Sequence, residues 1–235
     1  MHPASLLAVA SLAAASPLET RQQTNTPCHN VHVITVRGSY EGYAAGSNRQ
    51  DDLLVPEVCK GKPSCGYEDV VYPATLDGDY CGSSQTQGVW ALIGQLNDYA
   101  GRCPDSKIVL VGYSQGAHVI GDVLGTGGSG SCDAGNQALD PKSSPGNKIE
   151  AIAFFGDPRR TPGQSYNNGS AGKDSTGDFP RLGDDITQLN HYEGRLGSWC
   201  LANDLYCTTG SDGNAHATAV ETYYKDAAEF IRGKL

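Results

Sequence analysis

The segment K-I-V-L-V-G-Y-S-Q-G-A-H, residues 107–118, runs an apolar stretch straight into Gly112-Tyr113-Ser114-Gln115-Gly116 and ends on a histidine four positions after the serine. Its Val/Ile run predicts a strand and the residues from Gln115 onward a helix, with Ser114 on the turn between them. A serine hydroxyl is a poor nucleophile until a base takes its proton, and an ester carbonyl yields faster when donors already face the developing oxyanion. A strand-to-helix turn meets both needs. Gly112 and Gly116 leave room for a strained corner with close packing beneath it, while the backbone N–H of Gln115 and the positive end of the helix face the reacting oxygen. Ser114 is the candidate nucleophile.

His118 is the nearest candidate base, because helix positions four apart share a face. The elbow, however, directs Ser114 out of the helix's side-chain register, and no neighbouring carboxylate is expected to fix the His118 tautomer. A surface or helix-packing role is expected for it. His29 and His32 flank the first strand with a separation that suits opposite faces rather than a shared metal, and His191 is a weaker alternative base in a polar loop. His216 follows the polar loop T-T-G-S-D-G-N-A, residues 208–215, and precedes the last helix, a place from which a side chain reaches across the top of a sheet. Asp204 stands in C-L-A-N-D-L-Y-C, where a disulfide between Cys200 and Cys207 would hold its carboxylate in one orientation, as a triad acid requires. Asp212, flanked by Ser211 and Gly213, is the rival acid and is expected to be solvated. The order Ser114, Asp204, His216 is the chain order of α/β-hydrolases and predicts His216 within hydrogen-bond reach of both partners.

Working outward, V-H-V-I-T-V at 31–36, D-V-V-Y at 69–72 and I-E-A-I-A-F-F-G at 149–156 join residues 107–112 as strand candidates. Val89, Leu92, Ile93, Leu96 and Tyr99 follow helical spacing, and a final helix is expected near residues 217–234. Strand, helix, strand, helix is the rhythm of a parallel sheet with helices on both faces. Residues 125–136 and 157–185 are polar and read as surface excursions. At 235 residues the chain fits one domain, expected over 28–235. Before it, residues 1–16 have the apolar run and small residues of a secretory signal, and 17–27 read as a short pro-segment or disordered arm. No other segment is apolar enough to cross a bilayer.

The formal net charge of −9 and the lack of any dense Lys/Arg run argue against nucleic acid as a partner. Eight cysteines, all beyond residue 27, are an even number in a chain with a signal-like start, which predicts disulfides. Zinc is disfavoured by the lack of any C-x-x-C. Asn168-Gly169-Ser170 is a glycosylation sequon in a polar stretch.

Several pieces together, and in order, carry a family resemblance. They are Cys28 before the first strand, R-G-S at 37–39, C-P-D-S-K-I-V-L-V-G-Y-S-Q-G at 103–116, F-F-G-D-P at 154–158, N-D-L-Y-C at 203–207, and Ala215-His216. The chain resembles the cutinase and acetylxylan esterase family of small secreted fungal serine esterases, carbohydrate esterase family 5, over nearly all its length after the presequence. The resemblance implies a mostly lidless three-layer α/β-hydrolase sandwich with a mostly parallel sheet. It implies Ser114 as nucleophile, Asp204 as acid, His216 as base, and an oxyanion hole from the Gln115 backbone N–H and Ser39. It also implies disulfides Cys28–Cys103 and Cys200–Cys207 and a chemistry that needs no metal or organic cofactor. Cys59, Cys65, Cys81 and Cys132 keep three possible pairings. Asp157, in G-D-P, is expected to be structural.

Within the family, cutinases frame the triad histidine with a bulky aliphatic loop, whereas residues 208–215 here are polar. The expectation is therefore an acetylxylan esterase-like enzyme acting on acylated plant cell-wall polysaccharide or another ester, as a secreted monomer with no membrane partner. R-G-S-Y-E at 37–41 looks more like the cutinase version of the oxyanion loop, so cutinase or a related lipolytic esterase is the alternative. A non-catalytic secreted wall-binding or elicitor protein on the same scaffold is the alternative of another class. Tyr40, Tyr43, Tyr67 and Tyr80 are candidate sugar-stacking surfaces, with packing as their competing role.

Overall fold

The computed structural model describes residues 26–43, 46–78, 80–127 and 132–235. The segment 1–16, and all of 17–27 but its last two residues, lie outside the described part. Thr26 is tied down: its hydroxyl donates to Glu68 and its carbonyl accepts from Arg102.

Six strands form one sheet in the order β2-β1-β3-β4-β6-β5, parallel at every pairing. They are β1 (Val31–Val36), β2 (Cys65–Asp69), β3 (Lys107–Tyr113), β4 (Ile149–Phe155), β5 (Asn167–Asn168) and β6 (Leu196–Trp199). The helices are α1 (Val55–Cys59), α2 (Thr86–Arg102), α3 (Gln115–Leu124), α4 (Gly183–Leu189), α5 (Gly213–Ala217) and α6 (Ala219–Arg232). Parallel strands covered on both faces read as near-continuous apolar runs, which is how β1, β3 and β4 read. The pleat then sends alternate residues to opposite layers. Ile34, Leu110 and Phe154 pack with α2 and α3, while Val33, Val111 and Phe155 pack with the α6 side. Helix, sheet and helix make the three-layer α/β-hydrolase sandwich.

The strand expected at 69–72 is β2 at Cys65–Asp69 instead. β2 is an edge strand paired only with β1, and its residues are mostly half-exposed, so it lacks the apolar signature; Val70 and Tyr72, which carry that signature, are core residues of the loop beyond it. The polar segment after Asp157 runs largely over the surface, as expected, but it is anchored to the body of the domain. Three buried arginines hold it. Arg159 pairs with Asp122 and Asp185, each at 2.7 Å, and Arg181 pairs with Asp157 at 2.7 Å. Arg160 donates to the carbonyls of Ser198, Asn168 and Gly172. These charged side chains are buried because they are paired and hydrogen-bonded.

The eight cysteines form Cys28–Cys103, Cys59–Cys65, Cys81–Cys132 and Cys200–Cys207. His29 and His32 do not take opposite faces: their rings stack 5.7 Å apart, and His32 lies 3.8 Å from the Tyr99 ring. His29 precedes the strand, where the alternation of faces has not yet begun.

Candidate active site

β3 turns into α3 at Ser114, whose backbone sits at φ 53°, ψ −116°. A non-glycine residue there carries strain of about 1–3 kcal/mol, sustained only where the surroundings over-determine it. Ser114 N–H donates to the Phe155 carbonyl at 2.8 Å, which pins the corner to β4. A Cβ at Gly112 would lie 2.6 Å from Ala117 N, and one at Gly116 would lie 1.8 Å from the Val36 carbonyl. Both glycines are required by space.

His216 comes from α5, whose first turn is capped by Asp212 accepting from Asn214 and Ala215 N–H groups. The exposed Asp212 carboxylate is thus a helix cap, and the residue meets His216 through the backbone, its carbonyl accepting from the His216 N–H at 3.4 Å. The His216 Nε2 lies 2.9 Å from Ser114 Oγ, and its Nδ1 lies 3.0 Å from both carboxylate oxygens of Asp204. Asp204 is fully buried, and its Oδ1 also accepts from the Tyr206 and Cys207 N–H groups at 2.7 and 2.9 Å. The Cys200–Cys207 disulfide closes the loop that carries it. With a carboxylate at Nδ1, the imidazole proton belongs there, and Nε2 is left to accept from the serine hydroxyl.

Residues not singled out in the sequence complete the imidazole's seat. Tyr206 meets the His216 ring edge-on at 4.6 Å, and Tyr113 lies tilted at 5.2 Å with its phenol donating to the His216 carbonyl. Gly156, at φ +59°, leaves the space in which a Cβ would come 2.8 Å from His216 Cε1. The signal for Gly156 was the G-D-P after a buried strand. Its neighbour Asp157 is structural, accepting from Arg159 N–H and pairing with Arg181.

The turn at 38–41 packs beside the elbow, since a Cβ at Gly38 would lie 2.6 Å from the Tyr113 ring. Ser39 is half-buried in that turn. Gly38 N–H donates to Glu41 Oε2 at 2.7 Å, and Arg37 Nε donates to the Glu41 carbonyl at 2.7 Å. Burial pushes the Glu41 carboxyl up despite Arg49 and Arg37 nearby. On the far side of the elbow, the Gln115 N–H is the first of α3 and, like the first donors of any helix, has no intrahelical acceptor. Its side chain is buried, accepting from Ser84 and donating to the Thr75 carbonyl. Asp178 lies near the triad, its carboxyl pushed up by burial and then by the Asp204 charge.

His118 stands apart from Ser114 Oγ. It is fully buried, with Nε2 2.9 Å from Asp122 Oδ2 and Nδ1 2.9 Å from the Tyr80 phenol. The expectation that no neighbouring carboxylate serves it is corrected: Asp122 lies one helical turn on, on the same face. His191 is exposed. Cys200, Asp204 and Cys207 bring potential ligand atoms within 4.8 Å of one another, but both sulfurs are in a disulfide and offer no thiolate. Asn168 is exposed on β5, its amide donating to the Tyr166 carbonyl.

A strained serine at a strand-to-helix corner, in line with an imidazole and a buried carboxylate on a parallel sheet, defines an α/β-hydrolase. The chain belongs to the cutinase family, whose model matches residues 27–235. It is 31% identical to the acetylxylan esterase of Hypocrea jecorina over 98% of this chain and 75% of that protein. It is 32% identical to acetylxylan esterase 2 of Talaromyces purpureogenus over 95% of this chain and 94% of that one. The solved catalytic core domain of acetyl xylan esterase from Trichoderma reesei superposes with a TM-score of 0.71 at 29% identity, covering 89% of this chain and 100% of that one. These relatives are carboxylic ester hydrolases, and this chain is an esterase.

Proposed function

We propose that this protein is a secreted serine esterase that removes acetyl groups from acetylated xylan through an acyl-enzyme. The observation that carries the mechanism is the continuous line from Asp204 through His216 to Ser114 Oγ. His216 Nε2 takes the proton as Ser114 Oγ attacks the acetyl carbonyl, and Asp204 holds the imidazolium that forms. The oxyanion develops against the Gln115 N–H and Ser39, donors already fixed before the reaction. Collapse of the tetrahedral intermediate breaks the bond to the sugar oxygen, and His216 gives its proton to that oxygen, which departs as a hydroxyl and leaves Ser114 acetylated. Water, deprotonated by the same nitrogen, then releases acetate.

The polar loop 208–215 beside His216, and relatives named acetylxylan esterases over nearly the whole chain, support the substrate. Four disulfides fit an oxidising, extracellular location, and the exposure of Asn168 supports its reading as a glycan acceptor. No helix among the described residues is long and apolar enough to cross a membrane. A second reading, cutinase or a lipolytic esterase, is favoured by the exposed side chains of Phe179 and Leu205 near the site.

Fluorophosphonate labelling tests the mechanism, because folded protein with no adduct on Ser114 would leave only a binding protein. Acetate release from acetylated xylan, measured against p-nitrophenyl esters of rising chain length and against cutin, tests the substrate. A preference for long chains favours the second reading.

A further inference from the structure

Four tyrosines competed in the sequence for a sugar-facing role, and the structure separates them. Tyr43 has the Arg37 guanidinium over its ring at 4.0 Å, and its phenol takes part in the bonding that holds Tyr72. Tyr80 is half-buried, with its phenol on His118. Tyr67 lies on β2, the outer edge of the sheet, two strands from the elbow. Tyr40 alone directly follows Ser39, and its side chain is 63% exposed.

The way Tyr40 is held matters more than its exposure. Its φ is +64°, a left-handed conformation that non-glycine residues adopt at a cost and that clusters at functional sites. Its N–H donates to the Ala74 carbonyl at 2.7 Å, and its phenol donates to Asp77 at 2.9 Å, so the ring is anchored at both ends. The loop holding those anchors is itself tied to the elbow, because the Thr75 carbonyl accepts from the Gln115 side chain at 3.1 Å. Tyr40 is therefore a fixed aromatic strut between the loops that follow β1 and β2, at the carboxyl edge of the sheet where Ser114 sits. A ring already immobilised loses little freedom when a ligand packs on it.

We infer that Tyr40 is a specificity residue that stacks its ring face on the pyranose bearing the ester, while the acyl group enters between Ser39 and Gln115. The inference rests on the deacetylase reading, since a carbohydrate alcohol presents a C–H-rich face for an aromatic ring and hydroxyls for the polar loop 208–215. Glu41, Ser39 and Gln115 would be common to every ester; Tyr40 would serve only ringed alcohols.

The test compares kcat/KM on an acetylated xylo-oligosaccharide with kcat/KM on ethyl acetate, which has no ring, in the full chain and in Tyr40→Gly, Tyr40→Asn and Tyr40→Phe. Gly and Asn tolerate the left-handed backbone, so the ring is removed without adding strain, and thermal melts report whether each variant folds. The ratio of the two values should fall about ten-fold in Tyr40→Gly and Tyr40→Asn, through KM, and stay within about two-fold of the parent in Tyr40→Phe. An unchanged ratio in Gly and Asn overturns the proposal. So does a loss in Phe equal to that in Gly, which would place the effect in the Asp77 bond. Parent enzyme that cleaves ethyl acetate but not the acetylated oligosaccharide overturns the substrate reading and this inference with it; parent enzyme that cleaves both leaves the variants to decide the inference alone.

Discussion

His118 and His216 sit in the same molecule with nearly the same partners, and only His216 meets the serine at the strand-to-helix corner. Each is buried, with a carboxylate at one ring nitrogen and a hydroxyl at the other: Asp122 and Tyr80 for His118, Asp204 and Ser114 for His216. The difference lies in what surrounds the line. Asp122 gives its other oxygen to Arg159 and lies within 3.8 Å of Arg181, so its charge is spent inside a salt-bridge network. The Asp204 carboxylate instead accepts from the Tyr206 and Cys207 N–H groups and faces His216 Nδ1, an arrangement in which its charge favours an imidazolium. The hydroxyls differ as well. Ser114 stands on a strained corner beside the first N–H of a helix, whereas Tyr80 is a half-buried phenol whose acidity burial weakens further. Two carboxylate–imidazole–hydroxyl lines of like composition thus differ in their setting, and it is the setting of the Ser114 line that fits the proposed catalysis.

The largest effect expected from breaking this comparison is on the Ser114 side. Ser114→Ala and His216→Ala should each lower kcat by about 10⁶-fold, while His118→Ala should leave kcat per folded molecule within about ten-fold of the parent. Acetate release normalised to folded protein measures all three. A His118→Ala loss as deep as that of His216→Ala would reverse the assignment. Next comes Asp204→Asn, expected to cost about 10⁴-fold in kcat by presenting Nδ1 with a donor in place of an acceptor, with melting temperature little changed.

The Asp122 side should answer in stability. Asp122→Ala strips one of its two carboxylates from buried Arg159 and the carboxylate from buried His118, a loss of about 3–5 kcal/mol. For a domain of this size that reads as a fall in Tm of roughly 10 °C. Calorimetry measures it, and a shift under a degree or two would mean that the network carries no such weight. Smaller again is Gly156→Ala, whose new methyl must push the imidazole aside. A displacement of about 1 Å costs about 100-fold in kcat. The rate of fluorophosphonate labelling at Ser114 reads the same displacement, and an unchanged rate would show that the ring has room to spare.

How much of this was legible in the chain follows burial. β1, β3 and β4 are covered on both faces and declare themselves as Val/Ile runs, whereas β5 has two residues and β6 four, too short to show a period. Ser114 was visible because the elbow is a local device, and Asp204 and His216 because a short cysteine loop and a polar loop before the last helix mark where side chains can converge. That the three meet is now geometry; their roles are proposed. Tyr113 and Tyr206 were not visible, since each matters only through contact with a ring from a distant segment; Gly156 showed only as the glycine of G-D-P. Asp122 was within sight, four residues after His118, and its pairing follows from helical spacing alone.

A pair of half-buried carboxylates, Asp51 and Asp69, sharpens the contrast at the smallest scale. Burial opposes ionisation of Asp122, but His118, Arg159 and Arg181 hold its carboxyl below the usual range. Asp51, on the π-helical turn Gln50–Leu54, faces Asp69 instead of a cation. Burial, and then the Asp69 charge, push it up to about 8, while Asp69 also accepts from Thr35 and Asn48. A carboxyl whose folded value is raised favours the fold while protonated, so its contribution is fully present below the unfolded value and is lost as pH rises through about 8. Asp122 runs the other way: its contribution is present above the unfolded value and is lost as acid titrates it. Asp51→Asn retains a donor for Asp69 without an ionisation of its own, so between pH 7 and 9 its Tm should fall less than that of the parent. Parallel Tm curves across that interval would show that the two carboxyls do not share a proton.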